Sequence, residues 1–582
     1  MKCRFFKVFS FLVFASALLI GCEDSQTKSP YPREQTLYVG GFDWAAPETF
    51  NPFIGDPNFP IDGNVRLLYE TLFAYNQLTA TLEPMLASSF TTTDSSVLVV
   101  LDKRAHWNDG VPVTIEDVVY TFYLDSILPT PRQGGWEHLS HITTRGDTLE
   151  FHYREGFGSL PTIFNMLSET SILPKHKLYD MIEGFRNKNG TYNADSVWGF
   201  KNDKDPVGSG PYKLKDFNKE QIILERDDNY WGVVKHDGKL PAPKFIIHSI
   251  YSSNNLFNNA MTRGNMDISS VFLPRIQTKA RDSIRAWSLK PPYHLPGAIV
   301  TLLLNHERAP FKDVEFRRAL SHLVDFDKIR DRAISGYSPE IRPGLVLPFG
   351  NESIFFDEAA AQEFGNQFDP ELAKKILLAA GYSFSETGEL LLKDGTPLTA
   401  IKIECPKGWT DWEDVIMVLI GSFRAAGIPA EEHFADYAEW ERNLRYGTFD
   451  LSVKTQTADL SMATPWIRFR QLLYSKALPE EGRPAFSNHG RYRNPEVDSI
   501  IELIPGIAGD TAALVKEFKK LNYIVMKDVP VIPLFYKPTQ YYQFSTKHWT
   551  NFPTEENPYA PPANLITAAG VKALWEIRPR GK

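Results

Sequence analysis

Residues 106–122 read HWNDGVPVTIEDVVYTF, a stretch that passes from a turn into a helix. Asn-Asp-Gly at 108–110 predicts the turn, because glycine tolerates a positive φ there. Thr114 then suits an N-cap, and the two acidic residues that follow favour the positive end of a short helix through Phe122. The β-branched run 97–101 predicts a strand just upstream. Strand and helix signals alternate irregularly along the chain in this way, which indicates mixed α/β domains.

Other elements are predicted by their end signals. Asp369 and Pro370 form an N-cap followed by proline at the first helical position, and Gly381 supplies the stop of that helix. Residues 311–329 are predicted to form one amphipathic helix. A strand is expected at 531–535, near the end of the chain.

Length and composition describe an ordinary globular protein. The chain has 582 residues, of which 43% are apolar and 23% are charged. At typical domain sizes of about 100–200 residues, this length suggests three or four units. Beyond the N-terminus, no stretch approaches the roughly 20 apolar residues that a membrane helix needs.

The N-terminus is predicted to be an export signal. Three basic residues precede the apolar stretch 8–20, and Leu-Ile-Gly-Cys follows at 19–22, a pattern that belongs to targeting rather than to the fold. LIGC resembles the lipobox of bacterial lipoproteins, which implies a signal peptide at 1–21 and acylation of Cys22. Cleavage by ordinary signal peptidase, with Cys22 incidental, is the alternative. The polar residues 22–33 suit a lipidated, flexible tether.

Charge and cysteine content argue against a nucleic-acid partner and against an internal disulfide. Loss of residues 1–21 removes three basic and no acidic residues, so the formal net charge changes from -8 to -11, which disfavours nucleic acid as a partner. Once Cys22 is acylated, Cys405 has no cysteine partner, so no internal disulfide is expected in this exported chain. We expect Cys405 to be a buried thiol in the alternating run 398–405.

Eight stretches, taken in order, carry a resemblance that covers nearly the whole mature chain. Their order and spacing resemble the family 5 extracellular solute-binding proteins, the receptors of peptide, nickel and oligosaccharide ABC importers. The resemblance implies a receptor without enzymatic activity or cofactor, whose partners are a small ligand and the membrane subunits of a permease. The stretches are FNPF (50–53), VRLLYETLFAYN (65–76), LEPMLASSF (82–90), HWNDGVPVTIEDVVYTF (106–122), PVGSGPYKL (206–214), DDNYWG (227–232), FKDVEFRRALSHLVDFDKI (311–329) and DVPVIPLFY (528–536).

The resemblance also implies a two-lobed α/β periplasmic-binding-protein fold, with a hinge between the lobes and an extra domain inserted in the first. Members of the family close on their ligand by hinge motion. A lipid-anchored monomer is expected, in the periplasm or on the outer face of the cytoplasmic membrane. Carried over to this sequence, lobe one comprises 34–65, 206–292 and 537–582, the inserted domain comprises 66–205, and lobe two comprises 293–536.

Three further stretches bear on the ligand. CPKGWTDW (405–412), TPWIRF (464–469) and HWTNFPTEENPYAPP (548–562) resemble the members that bind cello-, laminari- or chito-oligosaccharides. A β-linked oligosaccharide of the cello-, laminari-, xylo- or chito-oligosaccharide type is therefore the expected ligand. Peptide-binding relatives commonly carry an Ala-Asp-Tyr stretch whose aspartate holds the α-amine of the peptide, whereas this sequence has Leu460 in place of the tyrosine. Ala458-Asp459 is the nearest equivalent here and keeps an oligopeptide receptor as the alternative.

Trp409 and Trp412 are predicted to have different roles. Thr410 and Glu413 have the spacing of a capping box, and Trp412 shares the apolar face of the helix that follows, so we expect it to pack in the core. Trp409 precedes the cap, and its staple position holds Asp414, which offers no apolar surface. We therefore predict that Trp409 stacks on a pyranose ring, with packing against another loop as the alternative.

The other predicted ligand contacts rest mainly on matching positions in relatives. Trp44 is assigned to the cleft wall. For Trp466, the sequence favours a position in the cleft and a position in the core equally. Gln456 is a candidate to bind a hydroxyl group, although a solvated glutamine explains it equally well. The terminal segment caps the site in relatives; Trp549 and Phe552 belong to it here, and the sequence leaves open which of the two rings faces the cleft. The full predicted set is Trp44, Phe50, Asn51, Trp409, Gln456, Trp466, Trp549 and Phe552.

The sequence contains no motif that would favour an enzyme over a receptor. The sequence has no G-x-S-x-G elbow and no H-E-x-x-H helix, and Gly-Ser-Gly at 208–210 lacks the lysine of a phosphate-binding loop. His138 and His141 are three residues apart, but a convincing third ligand is missing, so no metal site is predicted. With 71 acidic residues, carboxylate pairs occur at any spacing and indicate nothing by themselves.

Overall fold

The computed structural model describes most of the chain from residue 30 onward. The predicted signal peptide, Cys22 and most of the predicted tether lie outside the described residues. Arg33, at the end of that tether, is held 2.6 Å from the buried carboxylate of Asp267. The described residues are 30–42, 44, 47, 49–53, 67–128, 139–154, 160–365, 367–455, 465–480, 482–507, 509–538, 540–563, 565 and 567–581, with only the backbone described at 160–162, 164, 165 and 198.

Strands and helices alternate along the described chain, which confirms the mixed α/β class. The strands are β1 (Thr36–Gly40), β2 (Phe73–Asn76), β3 (Thr81–Pro84), β4 (Ala87–Thr92), β5 (Ser96–Leu101), β6 (Leu139–Arg145), β7 (Thr148–Tyr153), β8 (Tyr212–Phe217), β9 (Gln221–Arg226), β10 (Phe245–Ser249), β11 (Ile268–Ser269), β12 (Ile284–Ala286), β13 (Ala298–Leu304), β14 (Ser383–Phe384), β15 (Leu390–Leu391), β16 (Ile401–Pro406), β17 (Ala430–Ala435), β18 (Leu451–Thr455), β19 (Val531–Lys537), β20 (Gln543–Ser545), β21 (Trp549–Thr550) and β22 (Arg578–Pro579). The helices are α1 (Ile115–Ile127), α2 (Leu160–Glu169), α3 (Lys175–Glu183), α4 (Ala194–Gly199), α5 (Asn254–Arg263), α6 (Val314–Ser321), α7 (Phe326–Lys328), α8 (Glu358–Phe364), α9 (Pro370–Ala379), α10 (Thr410–Ala425), α11 (Tyr437–Tyr446), α12 (Trp466–Leu473), α13 (Pro495–Leu503), α14 (Thr511–Asp528), α15 (Ala568–Val571) and α16 (Ala573–Glu576).

The large sheet has, among the described strands, the order β12-β20-β11-β1-β10-β9-β8. Its centre is parallel, because β1 pairs in parallel with both β10 and β11. The outer strands pair antiparallel. Residues from 36–40, 212–286 and 543–545 build this sheet, so distant parts of the chain meet in it. The domain boundaries stated above stay a prediction.

The five-stranded sheet has the order β17-β16-β18-β13-β19 over the described ranges. β16, α10 and β17 form a parallel crossover unit, and β16 also pairs in parallel with β18. All seven residues of β13 are buried, as expected for a strand covered on both faces. A four-stranded antiparallel sheet, β4-β5-β7-β6, shares its hydrophobic core with the large sheet.

Most of the predicted elements are confirmed. Thr114 caps α1, which runs beyond the predicted end to Ile127, and Asp369 caps α9. The predicted strands lie within β5 and β19, and Cys405 is a buried free thiol.

The prediction of a single helix over 311–329 is wrong. α6 covers Val314–Ser321 and ends. Asp325 Oδ1 then accepts from the backbone N–H of Lys328 at 3.0 Å, so Asp325 caps a new helix, α7. An aspartate that bonds the backbone in this way favours a helix start over a helix interior.

The chain crosses between the large and the five-stranded sheet at 287–297, after β12, and at 538–542, after β19. Paired crossing segments between two sheet-bearing bodies give the arrangement of a hinge. Within the ranges described above, no helix is long and apolar enough to cross a membrane.

Candidate functional site

The candidate site lies where the carboxyl ends of two strands from different sheets meet. Gly40 ends β1 and is followed by Trp44, and Pro406 ends β16 and is followed by Trp409. The ring centroids of Trp44 and Trp409 are 5.2 Å apart, with an interplanar angle of 48°. Ligands of open α/β sheets bind outside the carboxyl ends of the strands, so we expect a ligand at this junction.

Trp409 is the centre of an aromatic cluster. Its ring centroid lies 4.7 Å from Trp412, 5.9 Å from Tyr437 and 6.0 Å from Trp440. Trp409 is half-buried, whereas Trp412 and Trp440 are 2% and 3% exposed. The core position predicted for Trp412 is confirmed. We call these four rings together with Trp44 the junction cluster.

The predicted capping box at Thr410 is wrong. Trp409 holds the N-cap position, and α10 begins at Thr410. Glu413 does reach back, but its Oε1 accepts from the backbone N–H of Gly408 at 2.6 Å. Thr410 Oγ1 instead accepts from Asn254 Nδ2 at 3.2 Å. Because Asn254 packs with the large sheet, a local sequence pattern does not reveal this partner.

Charged and polar groups contact Trp440 in the junction cluster. Trp440 Nε1 donates to Ser452 Oγ at 2.9 Å, and Lys454 Nζ lies 4.9 Å from the Trp440 ring centroid. Lys454 also pairs with Glu441 at 3.4 Å. Burial lowers the pKa of the Lys454 ammonium group, and Glu441 opposes that shift. The carboxylate and the aromatic face together compensate a buried cation at this position.

Trp44 forms the opposite wall with α5. Its ring meets Phe257 edge-on at 5.2 Å, and Phe257 meets Tyr251 at 5.0 Å. α5 begins directly after Ser253, whose side chain caps it by accepting from the backbone N–H of Leu256. Trp44 is half-buried, so each wall of the junction presents a partly exposed indole.

Polar contacts beside the indoles join the two walls directly. The backbone N–H of Asn254 donates to Gly408 O at 3.0 Å, and its Nδ2 donates to Asp411 Oδ1 at 3.2 Å. Tyr541, in the second crossing segment, donates its hydroxyl to Asp411 Oδ2 at 3.3 Å. Burial raises the pKa of the Asp411 carboxyl to about 6, although Lys537 and these hydrogen bonds act in the opposite direction.

A cavity of about 640 Å³ lies next to the crossing segments. Its wall combines apolar side chains such as Leu295 and Phe349 with the amides of Gln77, Asn351 and Gln540. Cavities of this size, mostly apolar with a few polar groups, are typical of small-molecule sites. The cavity is lined by both crossing segments and shares no residue with the junction cluster.

The structure brings Trp44 and Trp409 together but gives most other predicted contacts partners inside the protein. Asn51 Nδ2 donates to Val197 O at 2.7 Å, and Trp466 Nε1 donates to Ile501 O at 2.8 Å. These residues are buried, so their polar groups already have partners.

Three aromatic members of the predicted set are buried in the core. Phe50 packs against Phe217, Phe552 stacks on Phe544 at 4.6 Å, and Trp549 Nε1 donates to Thr36 O at 3.0 Å. We leave these three, together with Asn51 and Trp466, out of the proposed site.

Sequence reasoning missed the residues that approach the junction from elsewhere in the chain. Asn254, Tyr437, Trp440 and Tyr541 were not singled out. Their only local signal is the spacing of Tyr437 and Trp440, which places both rings on one side of α11.

Some of the positions singled out in the sequence lie outside the described structure. Gln456, Asp459 and His138 lie outside the described residues. His141 stacks on His152 at 4.3 Å. Across the described ranges, no group of three or more His, Cys, Asp or Glu side chains is arranged to hold a metal ion.

Comparisons with known proteins agree with this architecture. Residues 81–474 match the family model described as bacterial extracellular solute-binding proteins, family 5 Middle. A periplasmic oligopeptide-binding protein of an ABC transporter from Thermotoga maritima, solved with bound mannohexaose, superimposes with a TM-score of 0.84 at 30% identity. The match covers 95% of this chain and all of that one.

A second relative was solved with a peptide. The oligopeptide-binding protein AppA of Bacillus subtilis is 23% identical over 500 residues, which cover 81% of this chain and 84% of AppA. Its structure with a nonapeptide superimposes with a TM-score of 0.72 at 20% identity, over 91% of this chain and 98% of that chain. The structural neighbours are two-lobed periplasmic binding proteins, which confirms the predicted two-lobed fold class.

Proposed function

Because the chain belongs to the bacterial extracellular solute-binding proteins of family 5, and is thus a substrate-binding receptor of an ABC importer rather than an enzyme, we propose that its ligand is an oligosaccharide. The proposed class is a β-linked chain of the cello-, laminari-, xylo- or chito-oligosaccharide type. The observation that carries the proposal is the pair of half-buried indoles, Trp44 and Trp409, on opposite walls of the junction. Such rings cover the flat C–H face of a pyranose while polar groups bind its hydroxyls.

The charges around the junction cluster support a neutral ligand. Lys454 is paired with Glu441, and Asp411 accepts hydrogen bonds from Asn254 and Tyr541. These charges are compensated within the protein, so a ligand does not have to supply the opposite charge. A zwitterionic peptide needs a counter-charge for its α-amine, whereas a neutral sugar does not.

The relative from Thermotoga maritima adds independent support. It is called an oligopeptide-binding protein, yet its structure contains mannohexaose. Membership in an oligopeptide-binding group is therefore compatible with a sugar ligand. The bound nonapeptide of AppA, together with Asp459 of this chain, makes an oligopeptide the second candidate.

The proposed mechanism is capture by closure. The two lobes move about the segments 287–297 and 538–542, and the ligand becomes enclosed between the lobes, beside the faces of the two indoles that their mutual contact leaves exposed. Removal of the sugar faces from water supplies much of the affinity, and hydrogen bonds provide the selectivity. The closed receptor then presents the ligand to the membrane subunits of a permease.

A binding screen tests the ligand class. We expect calorimetric titration to detect at least one of cello-, laminari-, xylo-, chito- or manno-oligosaccharides, and to detect no binding of unmodified peptides of similar length. The matched variant is Asp459→Asn, which should leave glycan affinity unchanged within a factor of about three. Micromolar or tighter peptide binding that is lost in Asp459→Asn would overturn the proposal in favour of an oligopeptide receptor.

Attachment to the membrane through Cys22 is a separate proposal. Each buried CH₂ group of an acyl chain contributes about 0.8 kcal/mol, and two or three chains together give stable anchoring. Cys22→Ser should therefore move the protein from the membrane fraction to the soluble fraction, and mass spectrometry should find acyl groups on Cys22 of the wild type. Equal fractionation of the two forms, with no acyl mass, would contradict lipidation.

A further inference from the structure

One direct contact between the walls of the junction needs no ligand. Asn254, the first residue of α5, donates hydrogen bonds to three acceptors within residues 408–411, at the start of α10. Its backbone N–H reaches Gly408 O at 3.0 Å, and its Nδ2 reaches Thr410 Oγ1 and Asp411 Oδ1, each at 3.2 Å. Helix α5 packs with the large sheet and α10 with the five-stranded sheet. The contact therefore joins the two bodies that the hinge connects.

The geometry of Gly408 shows how closely the walls approach. Its φ is +86°, and a Cβ added there would lie 2.7 Å from Ser252 O and 2.8 Å from Ser253 Cβ. Glycine is required both for the left-handed conformation and for the close approach of the backbone. The contact is thus a packed interface between the two walls rather than a chance meeting of long side chains.

Asp411 makes this contact sensitive to its charge state. It is 5% exposed, and burial is the main reason that the pKa of its carboxyl rises to about 6. Opening of the cleft exposes the carboxyl to water, where aspartate has its ordinary pKa of about 3.9. Four titratable or charged groups surround it. Tyr541 comes from the second crossing segment and Lys537 from the end of β19, while Cys405 comes from β16 and Glu413 from the helix of Asp411 itself.

We propose that the contact of Asn254 with Gly408, Thr410 and Asp411 is a closing latch, which holds the lobes together without ligand and takes up a proton at Asp411 as it forms. The latch positions Trp409 opposite Trp44 and so prepares the site. Asp411 is a positioning residue in this scheme, because it acts through the wall that carries Trp409. The inference rests on the hinge closure of the proposed function but not on the identity of the ligand.

The sign of the pH dependence follows from linkage. At pH 8 the carboxyl is ionised in both forms, and the closed form bears the cost of burying that charge, which Lys537 and the hydrogen bonds offset only in part. At pH 5 the closed form is mostly protonated while the open form is still mostly ionised, so protonation favours closure. For a closed-form pKa of about 6, the ratio of closed to open molecules should rise about tenfold between pH 8 and pH 5.

The experiment measures the distance between the lobes in ligand-free mature protein, residues 22–582, which lacks Cys3 and carries Cys22→Ser. Spin labels are placed at Lys219→Cys, in the turn between β8 and β9, and at Glu386→Cys, in the turn between β14 and β15. Both positions are exposed, and the remaining Cys405 is buried. Pulsed electron paramagnetic resonance at pH 5 and pH 8 then gives the populations of short and long distances.

Three variants separate the latch from a general pH effect. Asp411→Asn keeps an oxygen acceptor for Asn254 but removes the charge, so the pH step should disappear and the closed population at pH 8 should reach that of the wild type at pH 5. Asn254→Ala removes the side-chain donor, and its closed-to-open ratio should fall roughly fivefold to tenfold at both pH values. Asp414→Asn removes an equal charge from an exposed position on the same helix and should retain the wild-type pH step.

Two results would overturn the latch. One is a ligand-free wild type with the same distance distribution at pH 5 and pH 8, and the other is an Asp411→Asn variant that keeps the full pH step. Because these measurements contain no ligand, a failure of the glycan screen leaves them interpretable. Conversely, glycan binding by a receptor without a pH step would retain the proposed function and reject the latch alone.

Discussion

The junction between the two sheets and the core of the large sheet both place tryptophan next to a buried carboxyl group. At the junction, half-buried Trp409 lies beside Asp411, whose hydrogen bonds cross from one body to the other. In the core, Glu70 accepts from Trp231 Nε1 at 2.7 Å and from the Tyr230 hydroxyl at 2.5 Å, and fully buried Trp549 lies in the same hydrophobic cluster as these two rings. The residue types are similar, but hinge opening separates only the groups at the junction.

The difference shows how the same chemistry serves stability or binding. A buried aromatic ring contributes to folding when its neighbours stay in place, and to ligand affinity when its face becomes available in the open form. A buried carboxyl group likewise makes folding depend on pH in the core, and makes closure depend on pH at the junction. Substitutions in the two regions should therefore change different measured quantities.

The largest expected effect is on folding, at Trp549. Trp549→Ala should lower the free energy of unfolding by about 3–5 kcal/mol, because it leaves a cavity in a packed core and removes the donor to Thr36 O. Chemical denaturation measures the change, and the folded protein should bind glycan with unchanged affinity. Trp549→Phe, which keeps a ring, should cost less. If Trp549→Ala has normal stability but no longer binds glycan, Trp549 contacts the ligand.

A smaller effect on folding is expected at Glu70. Burial raises the pKa of the Glu70 carboxyl to about 7, so the folded state binds a proton more tightly than the unfolded state. The contribution to stability is full below the ordinary carboxyl pKa and is lost as the pH rises through about 7. Between pH 5 and pH 8 this should amount to about 2–3 kcal/mol in the free energy of unfolding.

Glu70→Gln tests that assignment. The variant should be less sensitive to pH than the wild type, and the difference between the two should vanish toward low pH. Glu150→Gln, on the inner strand β7 of the four-stranded sheet and partly exposed, is the matched control and should follow the wild type. Parallel pH profiles for wild type and Glu70→Gln would show that Glu70 does not carry this dependence.

The smallest change in free energy is expected at Trp409, and it should concern binding. Trp409→Ala should weaken glycan affinity roughly tenfold to a hundredfold, which corresponds to an aromatic contact of about 1.4–2.7 kcal/mol. The melting temperature without ligand should change little, because the ring is half-buried and flanks the cleft. The rise in melting temperature caused by glycan should shrink in proportion to the lost affinity.

Trp412→Ala is the natural comparison, three residues along the chain. Trp412 is 2% exposed, so its removal should destabilise the folded protein by about 3–5 kcal/mol. If Trp409→Ala instead melts early and binds glycan like the wild type, then Trp409 is a packing residue and the junction cluster belongs to the core.

Local signals in the sequence predicted much of the secondary structure and the family. Thr114 and Asp369 mark helix starts through hydrogen bonds that span only three residues: the backbone N–H of Thr114 donates to Asp117 Oδ2, and Asp369 Oδ1 accepts from the backbone N–H of Leu372. The buried place of Trp412 follows from helix spacing, which is also local. Such interactions depend on the neighbouring residues, so the sequence pattern contains the information needed to predict them.

The tertiary structure decided which aromatic residues meet at the junction. Trp44 and Trp549 looked alike as candidates in irregular segments, yet one lies at the carboxyl end of a strand and the other inside the core. Thr410 does not form the predicted cap, because its hydroxyl accepts a hydrogen bond from Asn254, which is 156 residues away in sequence. Packing of distant segments determines such outcomes.

By itself, then, the sequence determined the helix starts at Thr114 and Asp369, the mixed α/β class and membership in a family of receptors, because these depend on short-range hydrogen bonding and on patterns that extend along the chain. Only the tertiary structure decided that Asn254 and Asp411 face each other across the junction, 157 residues apart. The physical reason is that burial and long-range approach, rather than residue type, set the pKa of Asp411 and the exposure of Trp409.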